Sequence, residues 1–365
     1  MHLPKYTARV SVIVASFVFV SSVVYKQVTK MHGDITFREM TGADSSEIDP
    51  IPKILRDSLC TDFYKTVCVT NSVVSDPTGS VEPDIKGEVE ALRMYEKILH
   101  QHPDWSNERV DEELVNRIYT PRRKKMLFEI YDWIQKQMVK LIEKQPEDII
   151  PSPAKDELIR RLRLIVLELP PPASVYGNEP DLFTKNDVYY ESFPGDKKVI
   201  RVGGAYLLSA KSWFNRVFTI AHEMSHAIDP CELEAMHFEI EGYRRLLQCF
   251  QSEKNTGPNR VKDGCAKNNY LGELFSDWLA SQVTVQALEF YSSKLKDEDE
   301  LSKAVMNSVK DLCSEESWMD QNIESHPESR VRVEKIFGRN PALRGLLRCG
   351  QGVRRTPYCT FEGKK

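Results

Sequence analysis

Phe218-Thr219-Ile220-Ala221-His222-Glu223-Met224-Ser225-His226-Ala227-Ile228-Asp229-Pro230 carries the strongest chemical signal in the chain. Its uncharged flanks predict a helix packed in a core. Asp229-Pro230 predicts a stop, because proline cannot continue a helix. On that helix His222 and His226 share a face about one turn apart, so both rings can reach one Zn²⁺ ion. Glu223 follows the first ligand and is placed to take a proton from water beside the ion. Downstream, Glu273 opens a second helical stretch, Leu271 to Phe290, and supplies a third ligand. Asp277 lies four residues further on and shares the face of Glu273.

Three protein ligands and one open position are the pattern of a catalytic zinc rather than a structural one. One Zn²⁺ per chain is therefore expected on His222, His226 and Glu273. In that setting Glu223 acts as general base and then returns the proton to a leaving amine. Asp277 is expected to accept a hydrogen bond from the distal nitrogen of His222 and fix its tautomer. His326 is the best candidate for the extra donor that an oxyanion needs, and Arg332 for holding a substrate carbonyl or carboxylate.

The organisation follows outward from this site. Asp187 to Phe193 reads as a strand, Pro194-Gly195-Asp196 as a turn, and Lys198 to Val202 as a second strand. A small hairpin thus precedes the zinc helix, where an extended peptide can add to a sheet edge. Val89, Leu92, Tyr95 and Leu99 repeat at helical spacing, as do Leu127, Ile130, Ile134, Met138 and Leu141. A further helix is expected from Glu157 to Leu169, ended by Pro170-Pro171-Pro172. Helix continues after Glu273 to about Leu312. The expected fold is mainly α with a small β-hairpin or sheet, an α+β class. Residues 1–30 form a signal peptide or signal anchor, 31–55 a linker, 56–185 a helical region and 186–365 the zinc catalytic domain.

Composition bounds the function. The 365 residues are 41% hydrophobic and 28% charged, as in a soluble fold with a substantial core. A net charge of −4 argues against nucleic acid as a partner. The basic cluster Arg122-Arg123-Lys124-Lys125 reads as a solvated helix start after Pro121. Lys5 and Arg9 precede an apolar run from Val10, the layout of a secretory signal. If uncut, Val10 to Tyr25 falls short of the roughly 20 residues that span a bilayer, so a cleaved signal and a short membrane anchor through residues 10–25 are both open. Either way the bulk of the chain is expected outside the cytoplasm, as a secreted, periplasmic or anchored protein. The eight cysteines, none at zinc-finger spacing, suggest disulfides in such a compartment.

The chain resembles the neprilysin/endothelin-converting-enzyme family of zinc metallopeptidases, as a shortened and divergent member. Ala221 to Asp229 resembles the family's zinc helix, including the aspartate after the second histidine. Glu273-x-x-x-Asp277 is similar to its Glu-Asn-x-Ala-Asp motif. Cys60 to Cys68 looks like the segment that opens its ectodomain, and His326 to Val333 resembles its His-x-Pro-x-x-x-Arg-Val substrate motif. The resemblance implies a two-lobed, gluzincin-like architecture with a reduced helical domain. It also implies a metalloendopeptidase acting on a peptide or protein substrate, cut before a hydrophobic residue. It gives His326 the part of transition-state stabiliser and Arg332 a contact with the substrate backbone. It implies disulfides Cys60–Cys349, Cys68–Cys313 and Cys249–Cys359, leaving Cys231 and Cys265 as the remaining pair. The chain departs from the family where Asn-Ala-Phe/Tyr grips substrate: here stand Asp187, Val188 and Tyr189. Leu274 and Ser276 replace the Asn and Ala of the second motif, and the proline after His326 comes one place early. The rival reading is a non-catalytic envelope or binding protein that keeps the zinc site.

Overall fold

The structure, a computed structural model, describes residues 52–69, 85–171, 182–234, 240–252, 270–292, 294, 298–316, 326–350 and 358–364. The expected signal or anchor, the Cys265 position and most of the 31–55 linker lie outside these residues. The fold is mainly helical with a small mixed three-stranded sheet, an α+β arrangement.

Helix α1 (Pro52–Thr61) begins inside the stretch read as linker, and a π-helical turn (Lys65–Val69) follows it. Helices α2 (Lys86–Gln101), α3 (Asn107–Ile118), α4 (Pro121–Glu143) and α5 (Ser152–Leu164) come next. Thr120 caps α4 by accepting from the Arg123 amide at 3.4 Å, and Pro121 fits the first helical position, whose amide would be orphaned anyway. The core face of α4 is Leu127, Ile130, Tyr131, Ile134, Met138 and Ile142, at the spacing of one helix stripe.

Strand β1 (Ile165–Glu168) is a correction to the sequence reading, which carried the preceding helix on to Leu169. Helix α5 ends at Leu164, and the β-branched pair Ile165-Val166 turns into the sheet, where pairing with a buried partner overrides helical continuation. Strands β2 (Val188–Ser192) and β3 (Lys198–Val202) form the expected antiparallel hairpin, with Tyr190 opposite Ile200. β1 runs parallel to β3, so the order is β1-β3-β2 and β2 is an edge. The region read as helical therefore contributes a strand to the sheet beside the site. β3 is buried along its whole length. Its two cations are matched there: Lys198 by Glu232 at 3.4 Å, and Arg201 by Glu191 and Glu168.

A short helix α6 (Gly204–Leu208) leads to α7 (Trp213–Ser225). Ser212 caps α7, accepting from the Asn215 amide at 3.0 Å. The α-helix stops at Ser225, and His226 opens a 3₁₀ turn (His226–Ile228). The stop expected at Asp229-Pro230 is present, since Asp229 is extended and ends the turn, and Pro230 then starts the next short helix, α8 (Pro230–Glu234), where the missing amide costs nothing. Helix α9 (Glu241–Ser252) precedes α10 (Tyr270–Ser292), which is buried on nearly every side. A helix apolar all round belongs in the centre of a core, and α10 packs along α7. Helix α11 (Glu298–Val309), a 3₁₀ segment (Lys310–Glu316), a π-helical turn (Val331–Gly338), helix α12 (Pro341–Leu346) and a two-stranded ribbon (β4 Cys359–Thr360, β5 Gly363–Lys364) complete the described fold.

Cys60 is bonded to Cys349, Cys68 to Cys313 and Cys249 to Cys359. Cys231 is disulfide-bonded as well. The first two bridges fasten α1 and its following turn to the C-terminal part of the chain. Each closes a loop of more than two hundred residues in the unfolded state, with separations of 289 and 245. Loops this long lose much entropy when closed. Replacing Cys60 and Cys349 together by serine should lower unfolding stability by roughly 2–5 kcal/mol, read from denaturant midpoints at unchanged slope.

Candidate metal centre

The five groups of the motif come from two helices laid side by side and the turn that continues the first. α7 supplies His222 and Glu223, with His226 on the turn that continues it. α10 supplies Glu273 and Asp277, and Ser276 between them. The Nε2 atoms of His222 and His226 lie 3.3 Å apart. Glu273 faces both, with Oε2 at 3.1 Å from His222 Nε2 and Oε1 at 3.6 Å from His226 Nε2.

The opposite edges of both imidazoles are held by carboxylates. His222 Nδ1 is 2.9 Å from Asp277 Oδ1. His226 Nδ1 is 3.2 Å from Asp229 Oδ2, and Ser276 Oγ lies 3.3 Å from the same nitrogen. With Nδ1–H donating in each ring, both Nε2 lone pairs point into the space that Glu273 faces. Electron-pair donors converging in this way call for a cation. Burial pulls His222 down, yet its bonds to Asp277 and Glu273 hold it well above the usual histidine range. Burial pushes Glu273 up, but His222, His226 and His326 outweigh it and hold the carboxyl near about 2. The cluster thus draws positive charge, and the residues present can hold a metal ion. Two overlapping donor groups meet the distances for one: His222 with Glu223 and His226, and His222 with Glu273 and His326.

Glu223 sits beside this cluster, its Oε1 at 4.0 Å from His222 Nε2. Its Oε2 accepts from the Tyr190 amide at 2.9 Å. That bond follows from the sheet register. Asp187 and Phe193 make ladder bonds to Gly203 and Lys197, so the alternating Val188 and Tyr190 amides face away from β3 into the cleft. Burial pushes Glu223 up to about 7, against the pull of the two histidines. A carboxyl in that range can both take and give a proton at neutral pH. Nothing in the sequence pointed to the Tyr190 amide, because a main-chain donor has no residue signature. The sequence reading uses Asp229 only as part of a stop and of the family resemblance and misses it as a partner of His226; its place three residues after that histidine is the signal that could have found it.

Asp277 is fully buried between His222 and Arg332. Arg332 donates Nε to Oδ2 at 2.8 Å and Nη2 to Oδ1 at 2.9 Å. Burial opposes the charge on Asp277, but the guanidinium and the imidazole hold its carboxyl far below the usual range. The expected bond from Asp277 to His222 is present. Arg332, expected at the substrate, is also the partner that keeps Asp277 ionised.

These groups line a cleft of about 1170 Å³ along the edge strand β2. His326 stands at its exposed side, Nε2 at 3.3 Å from Glu273 Oε2. Asp187 opens onto the cleft, and its Oδ1 accepts from the Val188 amide at 2.8 Å. Surrounding protein raises its carboxyl, partly offset by that amide and by Lys211. Tyr189 also lines the cleft, with Lys185 Nζ 5.2 Å from its ring centre. No protein-family model matches the chain, and no curated protein matches it.

The two carboxylates behind the imidazoles should differ in what they support. Asp229→Asn and Asp277→Asn should each weaken metal affinity roughly 10–100-fold, measured by competition with a chromophoric chelator. Only Asp277→Asn strands a buried cation, so it should also lower stability by about 3–5 kcal/mol, read by denaturant unfolding with the metal chelated.

Proposed function

We propose that the chain is a zinc-dependent metalloendopeptidase exported to an oxidising compartment. The observation that carries this reading is the 3.3 Å between the Nε2 atoms of His222 and His226, with buried Glu223 beside them. Two nitrogens held roughly 2.0–2.1 Å from a tetrahedral ion stand about 3.3–3.4 Å apart. The donor set of two imidazoles and a carboxylate is one that zinc takes in hydrolases. Its resemblance to the neprilysin/endothelin-converting-enzyme family supports the same reading. That resemblance adds a two-lobed arrangement, in which residues 56–185 form a reduced helical lobe, and cleavage before a hydrophobic side chain.

His222, His226 and Glu273 would hold the ion, which when bound supplies acidification of water to near neutrality and polarisation of a carbonyl. The chain's own groups do the rest. The Tyr190 amide fixes Glu223 through Oε2, leaving Oε1 to accept the proton of the attacking water. The same carboxyl then delivers that proton to the nitrogen of the departing amine. Asp277 and Asp229 hold the two rings in one tautomer and orientation. His326 donates to the oxygen that gains charge as the scissile carbonyl becomes tetrahedral. An extended substrate lies along β2 and donates its amides to the outward carbonyls of Val188 and Tyr190. Asp187 can only accept there, so it favours a substrate N–H where an asparagine would serve either polarity.

The three disulfides whose two halves lie among the described residues support an oxidising, extracytoplasmic location. Among the described residues no helix is long and apolar enough to cross a membrane.

One observation favours the non-catalytic alternative. His326 belongs to a donor group with His222 and Glu273, and a fourth protein ligand would close the site and make it structural. Two substitutions separate the readings. Glu223→Gln should keep one zinc per chain and reduce peptide hydrolysis by roughly 10²–10⁴-fold. His326→Ala should likewise keep the zinc while lowering turnover. Loss of zinc on removing His326, with no hydrolysis by the parent protein, would favour the closed structural site. Dialysis against a chelator should abolish hydrolysis, and stoichiometric Zn²⁺ should restore it.

A further inference from the structure

The two histidines of the cluster are not held alike. His222 sits inside α7, whereas His226 sits on the 3₁₀ turn that follows it. A 3₁₀ turn has poorer hydrogen-bond geometry than an α-helix and fixes direction less firmly. His222 is also clamped by Asp277, which Arg332 holds in turn. The direction of the His226 ring therefore depends on what packs behind its turn.

Arg161 packs there. It comes from α5, 66 residues from the main-chain atom that it holds, and is 1% exposed. Its Nη1 donates to the Ala227 carbonyl at 3.2 Å, one residue past His226. The same nitrogen stands 3.6 Å from Glu232 Oε1 on α8, and Nε donates to Glu157 Oε1 at 3.0 Å. Lys198, on β3, reaches Glu232 Oε1 from another side at 3.4 Å. The Glu232 amide donates to Asp229 Oδ1 at 2.8 Å, and Asp229 Oδ2 faces His226 Nδ1 at 3.2 Å. Two routes thus run from one guanidinium to one imidazole. The first passes through the main chain at Ala227, the second through Glu232 and Asp229. Stability alone does not call for such a group, because apolar side chains of similar volume often replace buried ion pairs without loss. A planar fork that grips a carbonyl and two carboxylates in fixed directions suits placement instead.

We propose that Arg161 is a positioning residue for His226. It sets the direction of that ring, and with it the spacing of the two Nε2 atoms, without touching metal or substrate. The inference rests on reading His222, His226 and Glu273 as a metal centre. Residues 56–185 then contribute to the geometry of that centre from outside the segment that carries its ligands.

Two measurements on the full chain test this: zinc affinity by competition with a chromophoric chelator, and the visible bands of bound cobalt(II), which report ligand geometry. Arg161→Lys keeps the charge but puts a point donor in place of the fork. It should weaken zinc binding roughly tenfold or more and shift the cobalt bands. Arg160→Gln removes the neighbouring arginine, which pairs with Glu157 and Asp196, and should change neither. In a His226→Gln background Arg161→Lys should cost no further affinity, since its effect runs through His226. Glu232→Gln, at a partly exposed side chain, cuts the second route and should shift the bands in the same direction; it decides the question where Arg161→Lys fails to fold. Unaltered affinity and bands in Arg161→Lys, an equal loss in both backgrounds, or the same loss in Arg160→Gln overturns the positioning role and leaves the metal centre standing. A parent protein that takes up neither zinc nor cobalt overturns the metal centre itself, and the positioning role with it.

Discussion

The Asp277 carboxylate, fully removed from solvent, touches His222 and Arg332 and so joins three separate parts of the chain. A buried charge without partners is among the most costly arrangements a fold can contain. Asp277 escapes that cost only when α7, α10 and the Val331–Gly338 turn sit in one register. His222 and Glu273 then face one another without further adjustment. The geometry of the candidate metal centre is thus a by-product of satisfying one carboxylate, and Arg332 has as much to do with its placement as the residues that carry the donor atoms.

The edge strand imposes a second constraint. Its outward amides already end on carboxylates, Val188 on Asp187 and Tyr190 on Glu223. What it still offers is carbonyl oxygen. Asp187 adds a side-chain acceptor beside those carbonyls. The sheet that carries this strand is in turn anchored by β1, and Arg161, behind it on α5, donates to the Ala227 carbonyl just past His226. The helical region therefore reaches the metal turn through one buried arginine as well as through the sheet.

How much of this was legible depended on whether a signal was local. His222, Glu223, His226, Glu273 and Asp277 were readable because helical spacing turns sequence distance into shared direction, and α7 and α10 are long enough to keep it. The β2–β3 hairpin was readable from alternation around Pro194-Gly195-Asp196. β1 was not, since Ile165–Glu168 continues an apolar helical pattern and becomes a strand only through pairing with β3. The stop at Asp229-Pro230 was readable too, but proline also begins helices, and nothing local announced the short helix that Pro230 starts. The Arg332–Asp277 pair, 55 residues apart, and the Tyr190 amide left no local trace.

The Cys60–Cys349 bridge also decides where mechanical load travels. Tension applied between residue 52 and residue 350 passes from α1 through one covalent bond to the far end of the chain. The intervening backbone, with α7, α10 and the sheet, hangs as a closed loop outside that line of force. A chain held by its N-terminal end could be pulled without stretching the turn that carries His226. Spacing measured in tenths of an ångström would then survive forces that shear an unbridged fold.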